Sequence, residues 1–455
     1  MRSKHSRARM TSIGAAAAAG AMLVAACSSS HPSNSASKGS ASAPAAGTTS
    51  SAAAGSTAAS GKVVKLSFWY GLGGNLGKTV VSFVDAFNQS HPNIQVNATF
   101  QGSYSGGGPE QQKLLAAVAA GNPPDLAQME VNSGPSFVQS LRPITDLMNS
   151  SADSKPSDFL PGVLAATQVN GQYYGLPWNR SAPVIIYNKT MFDAHGISSP
   201  PATWQDLAAD AKKLTTAGVV GFEPVAQWWF TEAGVMSGGA QMLSDDLKSA
   251  KFATPQALVV PNIRQQMIKD GTAKPHNSKD PFGDTIADFG NQKTAMADMT
   301  NSSLSAIDAA VNGKFQWGVA TWPKVSGTKY ALPPGGANIA MFKAMPDSKV
   351  QAAWTFMQWM DSTAETVKWS EQTGYAPVKK AALDDADYKS FLSAHPQFSV
   401  PLQELQYTVS PPASPQYYGV LEYVQEAQTK AWFSGVSIGD TLAAAAKQTN
   451  QLLGG

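Results

Sequence analysis

Cysteine is almost missing from the chain. Cys27 is the only one, which excludes an intramolecular disulfide and any zinc site built on paired thiolates. Arginine is nearly as scarce: beyond residue 27 only Arg142, Arg180 and Arg264 occur. The whole chain holds 33 basic and 31 acidic residues, and Arg2, Lys4, Arg7 and Arg9 account for four of the basic ones. The remainder is close to neutral and carries no basic patch for nucleic acid. Past residue 27 the histidines are His31, His91, His195, His276 and His395. No two lie within four positions, so a metal-binding helix of the HExxH kind is excluded. The glycine-rich stretch Gly71–Thr79 fails as a P-loop because Leu72 occupies the first glycine position. It fails as a dinucleotide fingerprint because Leu76 occupies the third. Gly102-Ser103-Tyr104-Ser105-Gly106 has tyrosine where a nucleophile elbow needs serine. The acidic pairs Asp245-Asp246 and Asp384-Asp385 lie on polar, helix-like stretches and read as solvated faces. No catalytic constellation, metal set or cofactor motif is expected, and the chain does not read as an enzyme.

What is present begins with a leader. After the basic start, Ile13 to Ala26 is a short apolar run of mostly alanine, ending at Val24-Ala25-Ala26-Cys27. That is the pattern of a secretory signal peptide over 1–26, too short to stay as a membrane-spanning helix. Small residues ahead of a cysteine resemble a bacterial lipobox, with Cys27 as the lipidated residue. Residues 27–60 are almost wholly Ser, Ala, Gly, Thr and Pro with no apolar period, a composition that behaves as a flexible tether. The remaining length suits two domains.

In the body, strand and helix patterns alternate. Lys65–Tyr70 reads as a strand, Leu76–Ser90 as a helix with Val80, Val81, Phe83, Val84 and Phe87 on one face, and Ile94–Phe100 as a second strand. Gln111–Ala120 reads as helix and Asp125–Glu130 as strand; Thr203 and Asp206 form a capping-box start. The pattern predicts an α/β fold with a mostly parallel sheet and a ligand site beyond the strands' carboxyl ends. Aromatic and small polar residues cluster there: Trp69-Tyr70, Ser103-Tyr104, Glu130, Trp178-Asn179-Arg180-Ser181, Gln227-Trp228-Trp229, Thr300 to Ser303, Gly335-Gly336 and Tyr375. Singly, each aromatic could be core. Together, faces for C–H stacking and donors for hydroxyls suit a polyhydroxylated ligand.

The stretches "FWYGLGGNLGKTV", "FNQSHPNIQV", "FQGSY", "AQMEV", "PWNRSAPVIIYNKTMFDAHGI", "PPATWQDLA", "GGANI", "EQTGYAPV" and "NQLL" occur in order along the body. They resemble the extracellular family 1 solute-binding proteins of bacterial ABC importers, and within these the Ugp-type branch that binds sn-glycerol 3-phosphate. The resemblance implies a two-lobe, type II periplasmic-binding-protein-like fold with a hinge. One lobe would hold 61–178 and 336–378, and the other 179–335 and 379–455. It implies ligand contacts at Tyr104, Glu130, Ser181, Thr300, Gly336 and Tyr375. Of the adjacent tryptophans, Trp229 is the expected stacking wall, with one wall lost because neighbours seldom face one cavity. Trp69 and Asn179 are further candidates. It also implies an ABC permease as partner, a monomer, and residence at the outer face of the cell membrane through the lipid anchor.

One departure bears on the ligand. The family's phosphate-binding arginine would fall near "PPASPQYYG", and no arginine follows Arg264. Arg180 is the candidate substitute, although in a strand it points opposite to Asn179 and Ser181; a salt bridge or hinge contact is its other reading. Tyr417 or Tyr418 at the vacated place favours a neutral ring or polyol. The expected ligand is glycerol 3-phosphate or a related glycerophosphodiester, with a neutral mono- or oligosaccharide as the alternative.

Overall fold

Period-two burial sets the first strand: in β1 (Val64–Tyr70), Leu66, Phe68 and Tyr70 face one core while Ser67 and Trp69 face the other side. The computed structural model describes residues 62–454, so the leader, Cys27 and the Ser/Ala-rich stretch lie outside the described residues. The remaining strands are β2 (Ile94–Phe100), β3 (Leu126–Glu130), β4 (Gln168–Val169), β5 (Gln172–Tyr173), β6 (Leu176–Ser181), β7 (Pro183–Asn188), β8 (Val220–Glu223), β9 (Thr294–Thr300), β10 (Trp317–Thr321) and β11 (Gly335–Met341). One sheet has the order β2-β1-β3-β11-β6 and a second the order β10-β7-β9-β8; β4 and β5 form a separate hairpin.

Each sheet has its own core. The first buries Leu66, Phe68, Val84, Phe87 and Phe356, the second Ile185, Trp204, Phe222, Phe230 and Leu442. The sheets are mixed, which corrects the mostly parallel expectation. β1 runs parallel to β2 and β3, but β11 is antiparallel to both β3 and β6. In the second sheet β8 and β9 are parallel while β7 is antiparallel to β9 and β10. The reversal follows from the chain path: β6 leaves the first lobe toward the second, and β11 must re-enter it in the opposite sense.

β6 keeps its pairing with β11 through Ser181, and β7 of the second sheet begins at Pro183. The second crossing precedes Gly335. Near the third, Ala376 N–H donates to the Arg180 carbonyl at 2.9 Å, and Leu160 N–H donates to the Val378 carbonyl at 3.2 Å. One side chain binds two of these crossings. Asn301 accepts from Ala182 N–H at 2.8 Å and donates to the carbonyls of Arg180 and Gly374 at 3.3 and 2.8 Å.

The second lobe is organised around a buried ion pair. Arg264 is 1% exposed; its guanidinium contacts Asp298, donates to the Phe230 carbonyl at 3.0 Å and lies 5.1 Å from the Trp432 ring. Asp298 otherwise holds only the Val225 N–H, at 3.2 Å. Removing one partner of such a pair strands a desolvated charge. Arg264→Met should therefore destabilise the protein by about 3–5 kcal/mol, read from urea unfolding. Adding Asp298→Leu should recover most of the loss. A single-variant loss below about 1 kcal/mol would mean the pair is dispensable.

Candidate functional site

Three strand ends of the first sheet and one of the second deliver polar groups to the boundary between the lobes. β1 runs into Gly71, whose close contacts demand glycine: a Cβ there would lie 2.6 Å from the Tyr104 nitrogen. Gly71 N–H donates to Gln128 Oε1 at 3.0 Å, Gln128 Nε2 donates to Asn179 Oδ1 at 3.0 Å, and Asn179 Nδ2 donates to the Tyr104 hydroxyl at 3.2 Å. The Tyr104 and Tyr375 hydroxyls stand 3.3 Å apart. This buried relay leaves the two phenols little freedom to turn, since each lost bond would leave a desolvated polar atom.

Glu130 ends β3 and is 6% exposed. It accepts from Gly106 N–H at 2.9 Å and from the Tyr418 hydroxyl at 2.5 Å, and Tyr418 also contacts Ser133 Oγ at 3.0 Å. Tyr418 belongs to the helix Tyr417–Ser434, which packs in the second core. The Glu130 contact therefore crosses between the lobes. Burial pushes the Glu130 carboxyl up to about 7, against the pull of the Tyr418, Gly106 and Gly107 hydrogen bonds. Two more buried carboxyls stand behind it. Glu110 is pushed to about 8 by burial and by Glu130, and Glu232, bonded by the Tyr417 hydroxyl, is also pushed to about 8 by burial.

Ser181 comes from the end of β6, and from the second lobe come Thr300, Ser302 and Ser303, with Trp228 and Trp229 in the first turn of the helix Trp228–Ser237. The re-entering strand adds Gly335 and Gly336. Gly336 has φ +97°, and a Cβ there would lie 1.9 Å from the Asn179 carbonyl oxygen, so no other residue fits. Together these groups enclose about 330 Å³, with Glu130 the only charged side chain among the described lining residues.

Of the expected contacts, Tyr104, Glu130, Ser181, Trp229, Thr300, Gly336 and Tyr375 all line this cleft. Three do not. Trp69 is turned by the strand period onto the other face of β1, where it packs beside Leu114 and Phe137. Asn179 is fully buried beneath the cleft, in the relay. Arg180, 1% exposed, donates to the carbonyls of Ala337 and Val163 at 2.6 and 3.3 Å and to Asn338 Oδ1. It does not line the cleft, and burial lowers its pKa to about 9. Trp228 corrects the expectation of a single tryptophan wall. Successive helix residues stand about 100° apart, and both rings border the cleft. Phe282 and Gln227 also line it; Gln227 stood beside the tryptophans in the sequence, but Phe282 carried no signal.

A family profile described as "Bacterial extracellular solute-binding protein" matches residues 72–367. The sn-glycerol-3-phosphate-binding periplasmic protein UgpB of Yersinia pestis is 27% identical over 364 residues, covering 75% of this chain and 80% of its own. Its namesake from Escherichia coli O1:K1 is 26% identical over 363 residues, covering 75% and 81%. Among solved structures, UgpB from Mycobacterium tuberculosis in complex with glycerophosphocholine superposes with TM-score 0.74 at 22% identity, covering 87% of this chain and 98% of that one. Maltose-bound T. maritima MalE3 gives 0.77 at 21% identity, covering 86% and 100%.

The raised carboxyls set the direction of the protein's pH response. A carboxyl whose folded pKa lies above its unfolded value of 4.5 holds its proton more tightly when folded. Its stabilisation is complete at low pH and is lost as pH rises through the window from 4.5 to about 8. The melting temperature should fall between pH 5 and pH 8, and Glu130→Gln should flatten part of that fall. A melting temperature that rises across this range would contradict the buried-carboxyl account.

Proposed function

The chain belongs to the bacterial extracellular solute-binding protein family, and from that premise we propose that its cleft takes a small polyhydroxylated solute without net negative charge. A zwitterionic glycerophosphodiester is the first such ligand. The observation that carries this reading is the lining: one carboxylate, Glu130, and no Lys, Arg or His among the described lining residues. A phosphomonoester dianion would be desolvated beside that carboxylate with no cation to meet it. A diester carries a single negative charge, and an amine-bearing headgroup offsets it. Glycerol hydroxyls would donate to Glu130 and exchange hydrogen bonds with Tyr104 and Tyr375. The hydroxyls of Thr300, Ser302 and Ser303 would donate to the phosphodiester oxygens. The Trp228 and Trp229 faces suit a cationic headgroup. The relatives named for sn-glycerol 3-phosphate and the neighbour holding glycerophosphocholine support the glycerol-based class. The same two tryptophans favour a second reading, a neutral mono- or oligosaccharide stacked by its C–H faces.

The ligand would touch both lobes and stabilise their closed arrangement by its greater affinity for it, and the closed protein would then deliver it to the permease of an ABC importer. Capture without chemistry fits a cleft lined by a single carboxylate, since glycoside hydrolysis uses two. The receptor would act as a monomer at the extracytoplasmic face of the cell membrane, held by a lipid on Cys27 and the tether 28–60. The supporting feature is the small-residue run ahead of Cys27.

Calorimetric titration with glycerophosphocholine, glycerol 3-phosphate and a panel of neutral sugars tests the ligand. Glycerophosphocholine should bind at least about tenfold more tightly than glycerol 3-phosphate, and Trp229→Ala should weaken it by about 1–3 kcal/mol. Binding of neutral sugars alone would replace the first reading by the second; a preference for glycerol 3-phosphate would sink the charge argument. The anchor is tested separately: Cys27→Ser should release the protein from membranes into the soluble fraction, and retention there would refute lipidation at that residue.

A further inference from the structure

Away from the cleft, three segments of the second lobe bring donor atoms together. Glu223 ends β8, His276 lies between β8 and the helix Pro281–Gly290, and Asp288 sits in that helix's last turn. His276 Nε2 stands 3.0 Å from Glu223 Oε1 and 3.2 Å from Asp288 Oδ2, and the three donors lie within 4.8 Å of one another. Nitrogen and oxygen ligands of a tetrahedral ion, at about 2.0–2.1 Å from it, stand roughly 3.3 Å apart. Neither short contact is aligned as a hydrogen bond. Glu223 Oε1 and His276 Nε2 are both buried without a hydrogen-bond partner, and Glu223 is 2% exposed. An imidazolium bridging two carboxylates would instead aim its N–H at one of them.

The surroundings hold the three donors in place. Phe222 N–H donates to the Thr272 carbonyl and Lys274 N–H to the Phe222 carbonyl, both at 3.1 Å. These bonds fix the segment leading to His276 alongside β8. Lys293 Nζ holds Asp288 Oδ1 at 3.0 Å, so that Oδ2 is left facing His276. A carboxylate near a helix C-terminus opposes the helix dipole, which a cation on Oδ2 would relieve.

We infer that Glu223, His276 and Asp288 form a binding site for one divalent transition-metal ion of the zinc type, with water in the open fourth position. An imidazole donor beside two carboxylates suits zinc and its neighbours, whereas calcium and magnesium prefer all-oxygen shells. The partial exposure of His276 and Asp288, 28% and 24%, gives the ion a path in. Its place in the fold gives it a role. The chain from Glu223 runs directly to Trp228, and the chain from His276 runs to Phe282, so the ion ties together the two segments that supply the cleft's aromatic wall.

The test uses the full chain, stripped with a chelator and titrated with Zn²⁺ alone by calorimetry and with Co²⁺ by visible absorption. One ion per chain should bind, and Co²⁺ should give the intense bands of a four-coordinate site. His276→Ala and Asp288→Asn should each weaken binding by more than about a hundredfold, beyond the range of outer-shell partners. Circular dichroism checks that both variants fold. Absence of stoichiometric binding to the unaltered chain would overturn the assignment, as would undiminished binding in both variants. If a variant does not fold, the Co²⁺ spectrum of the unaltered chain decides, and a weak six-coordinate spectrum would overturn it.

Discussion

A carboxylate is desolvated where the two lobes meet, and much of the cleft is arranged around that fact. Glu130 has direct partners from opposite lobes, the Gly106 N–H on one side and the Tyr418 hydroxyl on the other. With the lobes apart, water would replace Tyr418; with the lobes together, the phenol must be in place or the carboxylate is left poorly satisfied. The Gly102–Gly108 turn, the end of β3 and the start of the helix Tyr417–Ser434 are therefore coupled through one side chain. The relay from Gly71 through Gln128 and Asn179 to Tyr104 performs the same task on the other wall, with neutral groups that need no counter-charge.

The cleft's location follows from strand direction. β1, β3, β6 and β9 all end at the boundary, and β11 begins there, so one narrow zone receives five chain segments. Backbones crowd, which is why Gly71 and Gly336 admit no side chain. Ser181 and Gly335 are paired across β6 and β11, so a shift at the hinge moves both together.

Much of this was legible in the sequence, for definite reasons. The alternation in Ile94–Phe100 and the capping box at Thr203 are local signals, and both elements form at those places. Tyr104, Glu130, Thr300 and Tyr375 stand just past or at element ends, where a reader of α/β patterns looks for them. Trp69 and Tyr70 are neighbours in the sequence, but the period of two sends them to opposite faces of β1. Trp228 and Trp229 stand about 100° apart on their helix, and that separation still lets both border one cleft. The contact of Tyr418 with Glu130 spans 288 positions, and Glu223, His276 and Asp288 come from three segments. No spacing rule links residues so far apart. The mixed sheet escaped for a similar reason, since antiparallel re-entry of β11 depends on the path through the other lobe.

The scarcity of arginine gains a physical meaning from where the three described ones sit. Arg264 neutralises Asp298 inside the second core, Arg180 braces β6 against β11 from the face away from the cleft, and Arg142 pairs with Asp347 at the surface. None is free to serve a ligand. The cleft is left with aromatic faces, hydroxyls and amide groups around one acid. Under the proposed reading such a surface would discriminate by hydroxyl geometry and ring or headgroup stacking, because attraction for a formal negative charge would have to overcome ionised Glu130. Burial makes Glu130 take up a proton more readily than an exposed carboxyl, so that repulsion weakens as pH falls. On the proposed reading, discrimination against anions would thus be strongest where Glu130 is ionised, and the burial of that carboxyl would set the pH at which it fades.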